Sequence, residues 1–157
     1  MVDPKVIMYE AGKVDALNLA SRASSMDGTS IIAEEDHIPA WNEKADYTSQ
    51  PAGIPVQDEG QVWLLLIPHN AAHYTGRPSK NRALWVLAHT TDPHKAKPWV
   101  SSYGTSGLYK IDECCTYPAA DGKNHVWRNK HDNNEFPPLT LNVEDRWEDL
   151  GEVSLWQ

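Results

Sequence analysis

The sequence predicts a mainly β protein, with two small tandem β-modules behind a short N-terminal α-helical segment. Two observations lead to this prediction. Residues 60–63 recur as residues 124–127, and in both copies a Trp follows a Val and an Asn comes seven positions later (63 to 70 and 127 to 134). Each copy is also framed by a Trp on either side. Self-similarity of this kind indicates repeated structural units. The two sets are Trp41, Trp63 and Trp85, then Trp99, Trp127 and Trp147.

Composition limits both the architecture and the partners. The chain has 157 residues, so each repeated unit is small and buries little core unless large aromatic side chains fill it. Seven Trp and six Tyr against one Phe meet that need. The net charge of −8 and the lack of a basic run argue against nucleic-acid binding. No apolar run approaches the roughly 18 residues of a membrane span, so we expect a soluble chain without membrane insertion.

Residues 1–38 are predicted to form an N-terminal helical anchor and lead-in. Apolar residues at spacings of four and three predict a helix over residues 1 to about 24. Residues 24–30 are rich in turn formers and indicate a break, and residues 34–39 an exposed lead-in. The apolar stripe is narrow, so we expect this helix to pack on the modules or on other subunits. The stripe consists of Ile7, Ala11, Val14 and Leu17.

The first module is assigned to residues 39–92. Pro51, Gly53 and Pro55 exclude a continuous helix before Val56. Residues 61–67 are apolar on both alternating faces, which predicts a strand covered on each side. A polar loop over residues 70–82 precedes a closing strand over residues 83–87.

The second module is assigned to residues 93–157. Cys114 and Cys115 occupy the position of Val56, and a turn-rich insertion over residues 117–124 precedes a strand at residues 126–128. Adjacent cysteines make a strained bridge, so we predict two free thiols, one of them buried. Short strands separated by Pro, Gly and Asn favour small β-modules over a βαβ fold.

The two copies resemble the small chitin-binding modules of the carbohydrate-binding type five and twelve families. In the first copy the match runs through Trp41, Tyr47, Val56, Gly60, Val62, Trp63, Asn70, Pro78 and Trp85. In the second it runs through Trp99, Tyr109, Cys115, Val126, Trp127, Asn134, Pro138 and Trp147. Asp112 stands where the family pattern has Gly. Tandem copies behind a helical N-terminus also resemble surface proteins of tailed bacteriophages and prophages.

The resemblance implies a saccharide-binding function. Sugars are bound by exposed aromatic faces with amide or carboxylate groups beside them. The candidates for stacking are Trp41 with Tyr47 and Trp99 with Tyr103, and those for polar contacts are Asn70 and Asn134. Each has a structural alternative, since the entrance tryptophans could be core and the two asparagines could be turn residues. Trp63, Trp85, Trp127 and Trp147 are predicted to be core.

Catalysis, cofactors and metals are not expected. His69 and His73 are four residues apart, but Pro68 opposes a helix there. Asp132 and Glu135 lack the Gly-containing loop of a calcium site. Adjacent acids such as Asp112 and Glu113 point apart, and no nucleophile-elbow motif is present. We therefore predict a protein that is not an enzyme and that holds neither a metal nor a cofactor.

These observations predict a non-enzymatic bacteriophage virion structural protein, a tail or capsid decoration or fibre that adheres to the host surface. It would be synthesised in the bacterial cytoplasm and lie on the virion surface. Expected partners are other virion proteins, through the N-terminal segment, and host-surface polysaccharide, bound weakly and multivalently by a homo-oligomer. Two alternatives stay open. The chain could be a purely architectural decoration protein, or the non-catalytic binding part of a cell-wall or chitin hydrolase.

Overall fold

The computed structural model describes Leu19 and residues 22–157, and this part of the chain is mainly β with two sheets. The α-helix α1 spans Gly28–Ala33. The strands are β1 Pro55–Asp58, β2 Gln61–Leu65, β3 Trp85–Leu87, β4 Lys97–Pro98, β5 Cys114–Pro118, β6 Asn124–Asn129 and β7 Trp147–Glu152. Short 3-10 turns lie at residues 23–25, 35–37, 71–73, 78–80, 93–95 and 153–155. Among the described residues no helix has the length and apolar character to span a membrane.

The N-terminal region is helical at a position where the sequence indicated a break. The Asp27 carboxylate accepts a hydrogen bond from the Ser30 backbone N–H and thereby caps α1. Ile31 and Ile32 are fully buried, so apolar burial holds this short helix where propensity would not. The stripe predicted for the helix over residues 1–24, at Ile7, Ala11, Val14 and Leu17, lies outside the described residues.

The first sheet has the strand order β1-β2-β3. The strand predicted over residues 61–67 ends earlier, at Leu65, and Leu66 and Ile67 are exposed. The backbone N–H groups of both residues bond to one carbonyl, that of Leu84, at 2.8 and 3.4 Å. Because two residues oppose one partner, regular pairing stops there.

The second sheet has the order β4-β5-β6-β7 and is covered on both faces. Cys115 packs in one cluster with Tyr109, Trp127 and Trp147, and Cys114 in another with Ala96 and Val126. Successive strand residues point to opposite faces, so adjacent cysteines reach different clusters. Both thiols are free, as predicted, but both are buried, whereas the sequence indicated one.

The chain divides into two compact units, with the first ending at Val86 and the second running from Leu87 to Gln157. This boundary precedes the one assigned at residues 92/93. His89 and Thr90 belong to the second unit because the His89 ring stacks on Tyr109 at 3.7 Å and the Cys114 N–H bonds to the Thr90 carbonyl at 2.7 Å.

The central hairpins of the two units have the same register at the repeated residues. Val56 of β1 lies opposite Trp63 of β2, and Cys115 of β5 lies opposite Trp127 of β6. The segment before each hairpin joins it in the same way. The Trp41 N–H bonds to the carbonyl of the residue after Val56 at 2.8 Å, and the Trp99 N–H to that of the residue after Cys115 at 3.0 Å.

The backbone also turns in the same way three residues before each of these strand positions. Gly53 has a φ of 95° and its N–H bonds to the Leu65 carbonyl at 2.7 Å. Asp112 has a φ of 73° and its N–H bonds to the Asn129 carbonyl at 2.8 Å. Asp tolerates the left-handed region better than most residues other than Gly and Asn, so it can replace the Gly of the first copy.

Each unit has a buried tyrosine against its closing tryptophan. Tyr47 and Trp85 meet edge to face with ring centroids 5.2 Å apart, and so do Tyr109 and Trp147, also at 5.2 Å. Edge-to-face contacts of this kind add stability beyond the burial of their area. The four tryptophans predicted to be core are all buried: Trp63, Trp85, Trp127 and Trp147.

Candidate functional site

An open groove of about 440 Å³ in the first unit combines aromatic and charged side chains, and we call it the Trp41 groove. Trp41 lies at its start, and the loop after β2 supplies most of the remaining wall. Aromatic faces beside charged and hydroxyl groups are the composition expected of a polar-ligand site. The groove is lined by Trp41, Glu43, Lys44, Tyr74, Thr75 and Arg77, with small residues between them.

Tyr74 is the exposed aromatic ring of this groove, and a ring contact with buried His69 holds its orientation. The ring meets His69 edge to face at 5.2 Å, and His69 meets buried Trp85 in the same manner at 5.5 Å. His69 is itself held by a 2.7 Å hydrogen bond between its Nδ1 and the Ile67 carbonyl. Tyr74 is therefore attached to the core through an aromatic contact although about half of it is exposed.

Trp41 is half-buried at the other side of the groove. The Gln57 side-chain amide donates to the carbonyl of Ile38, which fixes the segment that leads into Trp41. The indole Nε1 of Trp41 is buried and has no acceptor among the described residues. In the second unit, the Trp99 Nε1 is likewise buried and has no acceptor among the described residues.

Arg77 is the cation most firmly held in the groove wall. Its Nη1 donates to Glu59 at 2.7 Å, and its Nε lies 3.4 Å from Asp58. The loop before it is held by Asn81, whose amide donates to the Gly76 carbonyl at 2.7 Å. Gly76 has a φ of 94°, and a Cβ there would lie 3.1 Å from the Lys80 Cβ, so the turn requires glycine.

The second unit contains an apolar cavity of about 330 Å³, which we call the Trp147 pocket. Leu139 and Leu141 at its rim are largely exposed. Its charged residues are Glu144, Asp145 and Arg146, and the Arg146 guanidinium lies over the Phe136 ring at 5.2 Å. The apolar lining is formed by Trp127, Phe136, Leu139, Leu141, Val143 and Trp147.

No protein-family model, curated protein or solved structure matches this chain. Function is therefore inferred from its own side chains.

The residues predicted to bind ligand in the first unit have three different environments. Trp41 lines the groove. Tyr47 is only 8 % exposed, and its hydroxyl accepts a hydrogen bond from the Asn42 N–H, so it supports the chain beside Trp41. The Asn70 side chain accepts from the Ala72 N–H at 3.1 Å and caps the short turn at residues 71–73. Asn70 is thus a turn residue, which was the alternative to a polar contact with the ligand.

The residues predicted in the second unit are not brought together around the Trp147 pocket. Trp99 is half-buried against the cluster that contains Tyr109. Tyr103 is 57 % exposed on a tight turn, where it exchanges two 2.9 Å backbone hydrogen bonds with Ser106. Asn134 is completely buried, so it has no surface for a ligand.

Sequence reasoning missed Tyr74, Lys44 and Arg77 as groove residues. The available signal was a single aromatic residue inside the polar loop over residues 70–82, since loops placed on a rigid sheet commonly carry binding residues. The charged residues give no sequence signal, because Glu59, which holds Arg77, lies in the β1–β2 turn and is distant in sequence.

One group of side chains in the described part of the chain brings three potential metal-ligand atoms within 4.8 Å of one another, namely those of Asp121, His125 and Glu152. Both ring nitrogens of His125 already face carboxylates, with Nδ1 2.8 Å from Asp149 and Nε2 2.8 Å from Asp121. Lys123 pairs with Glu152 at 3.0 Å. The His125 ring and the Lys123 ammonium group already pair with these acids, so we interpret the group as an ion-pair network.

The cysteines do not have the environment of a nucleophile. Burial raises the pKa of the Cys114 thiol to about 11, and it also raises the pKa of Cys115. Reactive cysteines need a lowered pKa and access to solvent. Both thiols are therefore protonated at neutral pH and act as small apolar core residues.

Proposed function

We propose that this protein is a non-catalytic carbohydrate-binding protein and that the Trp41 groove is its saccharide-binding surface. The observation that carries the proposal is the combination of Trp41 and Tyr74 with Glu43, Lys44 and Arg77 in one open groove. Aromatic faces stack on the C–H faces of sugar rings, and charged groups orient the hydroxyls. Tyr74 is ordered before a ligand arrives because His69 supports it, which lowers the entropic cost of binding.

We further propose that the two units are tandem copies of one β-module. The repeated tryptophans, the matching hairpin register and the left-handed residues Gly53 and Asp112 support this. The copies would not be equivalent in function. The first presents a mixed aromatic and charged groove, whereas the second presents an apolar pocket and the isolated exposed ring of Tyr103.

The wider proposal is a tail or capsid surface protein of a bacteriophage that adheres to host polysaccharide. A single open groove gives weak binding, and many copies on one particle would supply the avidity. The N-terminal segment would contact other virion proteins, and the chain would act as a homo-oligomer. The resemblance of the tandem repeats supports this setting.

The second candidate is a purely architectural decoration protein. The Trp147 pocket favours it, because exposed Leu139 and Leu141 beside an apolar cavity suit a protein surface better than a sugar. In that case the first unit would bind no glycan. The third candidate is the non-catalytic binding part of a cell-wall or chitin hydrolase. In that case the same groove would bind the polymer that the hydrolase degrades.

Binding of multimerised protein to polymeric chitin, to host cell wall and to a glycan array tests the proposal. We expect retention of the wild type and loss of retention on Tyr74→Ala, since a stacking surface is removed. Leu141→Asp is the matched control, because it changes an exposed residue of the Trp147 pocket and should leave glycan retention intact. No retention of the wild type at high valency would contradict carbohydrate binding and favour the architectural candidate.

A further inference from the structure

The turn between β1 and β2 has an unfavourable residue at its first central position. Asp58 and Gln61 pair across it, so Glu59 and Gly60 form a two-residue loop. Glu59 has a φ of 53° and Gly60 a φ of 73°, and positive values at both positions are those of a type I′ turn. Asn-Gly is the favoured pair for such a turn, and a long side chain at the first position is disfavoured.

The side chain of Glu59 reaches the wall of the Trp41 groove. One carboxylate oxygen accepts from Arg77 Nη1 at 2.7 Å, and the other accepts from the Ser79 hydroxyl at 3.3 Å. Arg77 has its Nε beside Asp58 as well, so two consecutive residues, the last of β1 and the first of the turn, hold one guanidinium. The Arg77 side chain lines the groove, whereas Glu59 does not.

Stability does not explain why Glu59 is in this position. The side chains of Glu59 and Arg77 are both nearly half exposed. Exposed ion pairs contribute little to the free energy of unfolding, and a left-handed backbone costs a residue such as Glu at least as much. A strained residue that gains no net stability is expected where a precise position is needed.

We propose that Glu59 is a positioning residue for the Trp41 groove, a role that rests on the proposed carbohydrate binding. It fixes the Arg77 guanidinium against the turn, so that the N–H groups not used by Glu59 and Asp58 donate to hydroxyl or carbonyl oxygens of a saccharide lying on Trp41 and Tyr74. A guanidinium held by two acids loses little side-chain freedom on binding, which strengthens each bond that it makes to the ligand.

Glu59→Asn separates the two roles of the residue, because it creates the favoured Asn-Gly turn and removes the shorter of the two acid contacts of Arg77. We expect the thermal midpoint of the full chain to be unchanged or raised. Retention of the multimerised protein on polymeric chitin and host cell wall should fall by about tenfold, the effect of about one hydrogen bond to a charged group. Glu59→Gln keeps an acceptor oxygen and should restore part of the retention.

Asp112→Asn is the matched control, since it changes another left-handed residue that does not contact the groove. It should leave retention unchanged. If the wild type is retained and Glu59→Asn is retained equally, the positioning role is wrong while carbohydrate binding stands. If Glu59→Asn lowers the thermal midpoint, Glu59 is structural and the inference is also wrong. If the wild type is retained on neither polymer, both the proposed function and this role fail.

Discussion

Asp149 and His125 face each other across the β6–β7 pair, with both carboxylate oxygens of Asp149 within 2.9 Å of the imidazole Nδ1. The opposite ring nitrogen faces Asp121. The Asp149 carboxylate also accepts a 2.8 Å bond from the Gly151 N–H, at a bulge in β7 where Gly151 has a φ of 98°. One imidazole thus connects the β5–β6 turn with the irregular end of β7.

The pairing of His125 predicts a pH-dependent contribution to stability. Hydrogen bonds that the imidazole donates to the carboxylate of Asp149, and then to that of Asp121, raise the pKa of His125 above its ordinary value. A raised pKa means that the stabilisation is complete below the unfolded-state pKa of about 6.5 and is lost as pH rises through the folded-state value. Wild type should therefore exceed His125→Gln in thermal midpoint at acidic pH, and the difference should shrink toward zero at alkaline pH.

His94→Gln is the control for the pH experiment, because His94 faces a single carboxylate, that of Asp92, and is exposed. NMR titration of the His125 ring would give its pKa directly, and a value at or below the ordinary one would refute the predicted pH dependence. The same titration in the presence of a chelator should give the same curve, because the carboxylates of Asp149 and Asp121 account for the raised pKa.

We expect a large loss of stability when the Asn134 side chain is removed. Its amide donates to the Asn129 Oδ1 at 2.9 Å, and its Oδ1 accepts from the Phe136 N–H at 3.0 Å, with Asn134 and Asn129 both fully buried. Asn134→Ala leaves the Phe136 N–H without this acceptor and removes one of the two hydrogen bonds that Asn129 Oδ1 accepts, so it should lower the free energy of unfolding by about 2–3 kcal/mol. Chemical denaturation measures it. Asn70→Ala removes one partly exposed cap and should cost about 1 kcal/mol or less; equal losses at both positions would be inconsistent with this explanation.

We expect the substitution of Trp by Phe to lower the free energy of unfolding by different amounts at Trp63 and Trp127. Trp127 donates its Nε1–H to the Tyr117 carbonyl at 3.0 Å, whereas the buried Nε1 of Trp63 has no acceptor among the described residues. Trp127→Phe leaves that carbonyl unpaired and should destabilise the protein by about 1 kcal/mol more than Trp63→Phe, the net value of one hydrogen bond. Unfolding curves of the two variants provide the comparison, and a larger loss at Trp63 would argue against it.

The sequence predicted the central strands because their signal is local. A Val-Trp pair with alternating apolar neighbours needs only period two to be recognised, and the four core tryptophans follow from size and repetition. The early end of β2 was not predicted, since it depends on the Leu84 carbonyl, which is distant in sequence. The burial of both Cys114 and Cys115 likewise depends on clusters that cover the two faces of β5.

The candidate site also contains residues that the sequence indicated and residues that only the structure revealed. Trp41 was named from the repeat, whereas Tyr74, the single aromatic residue of the polar loop, was missed. Arg77 became visible only in the fold, because Glu59 holds it from the β1–β2 turn. Asn134, in contrast, was predicted as a site residue and does not reach the surface. Its recurrence with Asn70 suggested a common role in ligand binding. Both side chains instead accept the backbone N–H two residues on, and only Asn134 is completely buried.

The sequence by itself determined a mainly β chain, the tryptophan core and the recurrence of Val-Trp at residues 62–63 and 126–127, because side-chain size and strand periodicity are local properties. The tertiary structure alone decided which aromatic rings face solvent and which charged groups meet them. Exposure depends on what the rest of the chain covers, and a groove such as that of Trp41 is formed by segments whose proximity no local pattern encodes.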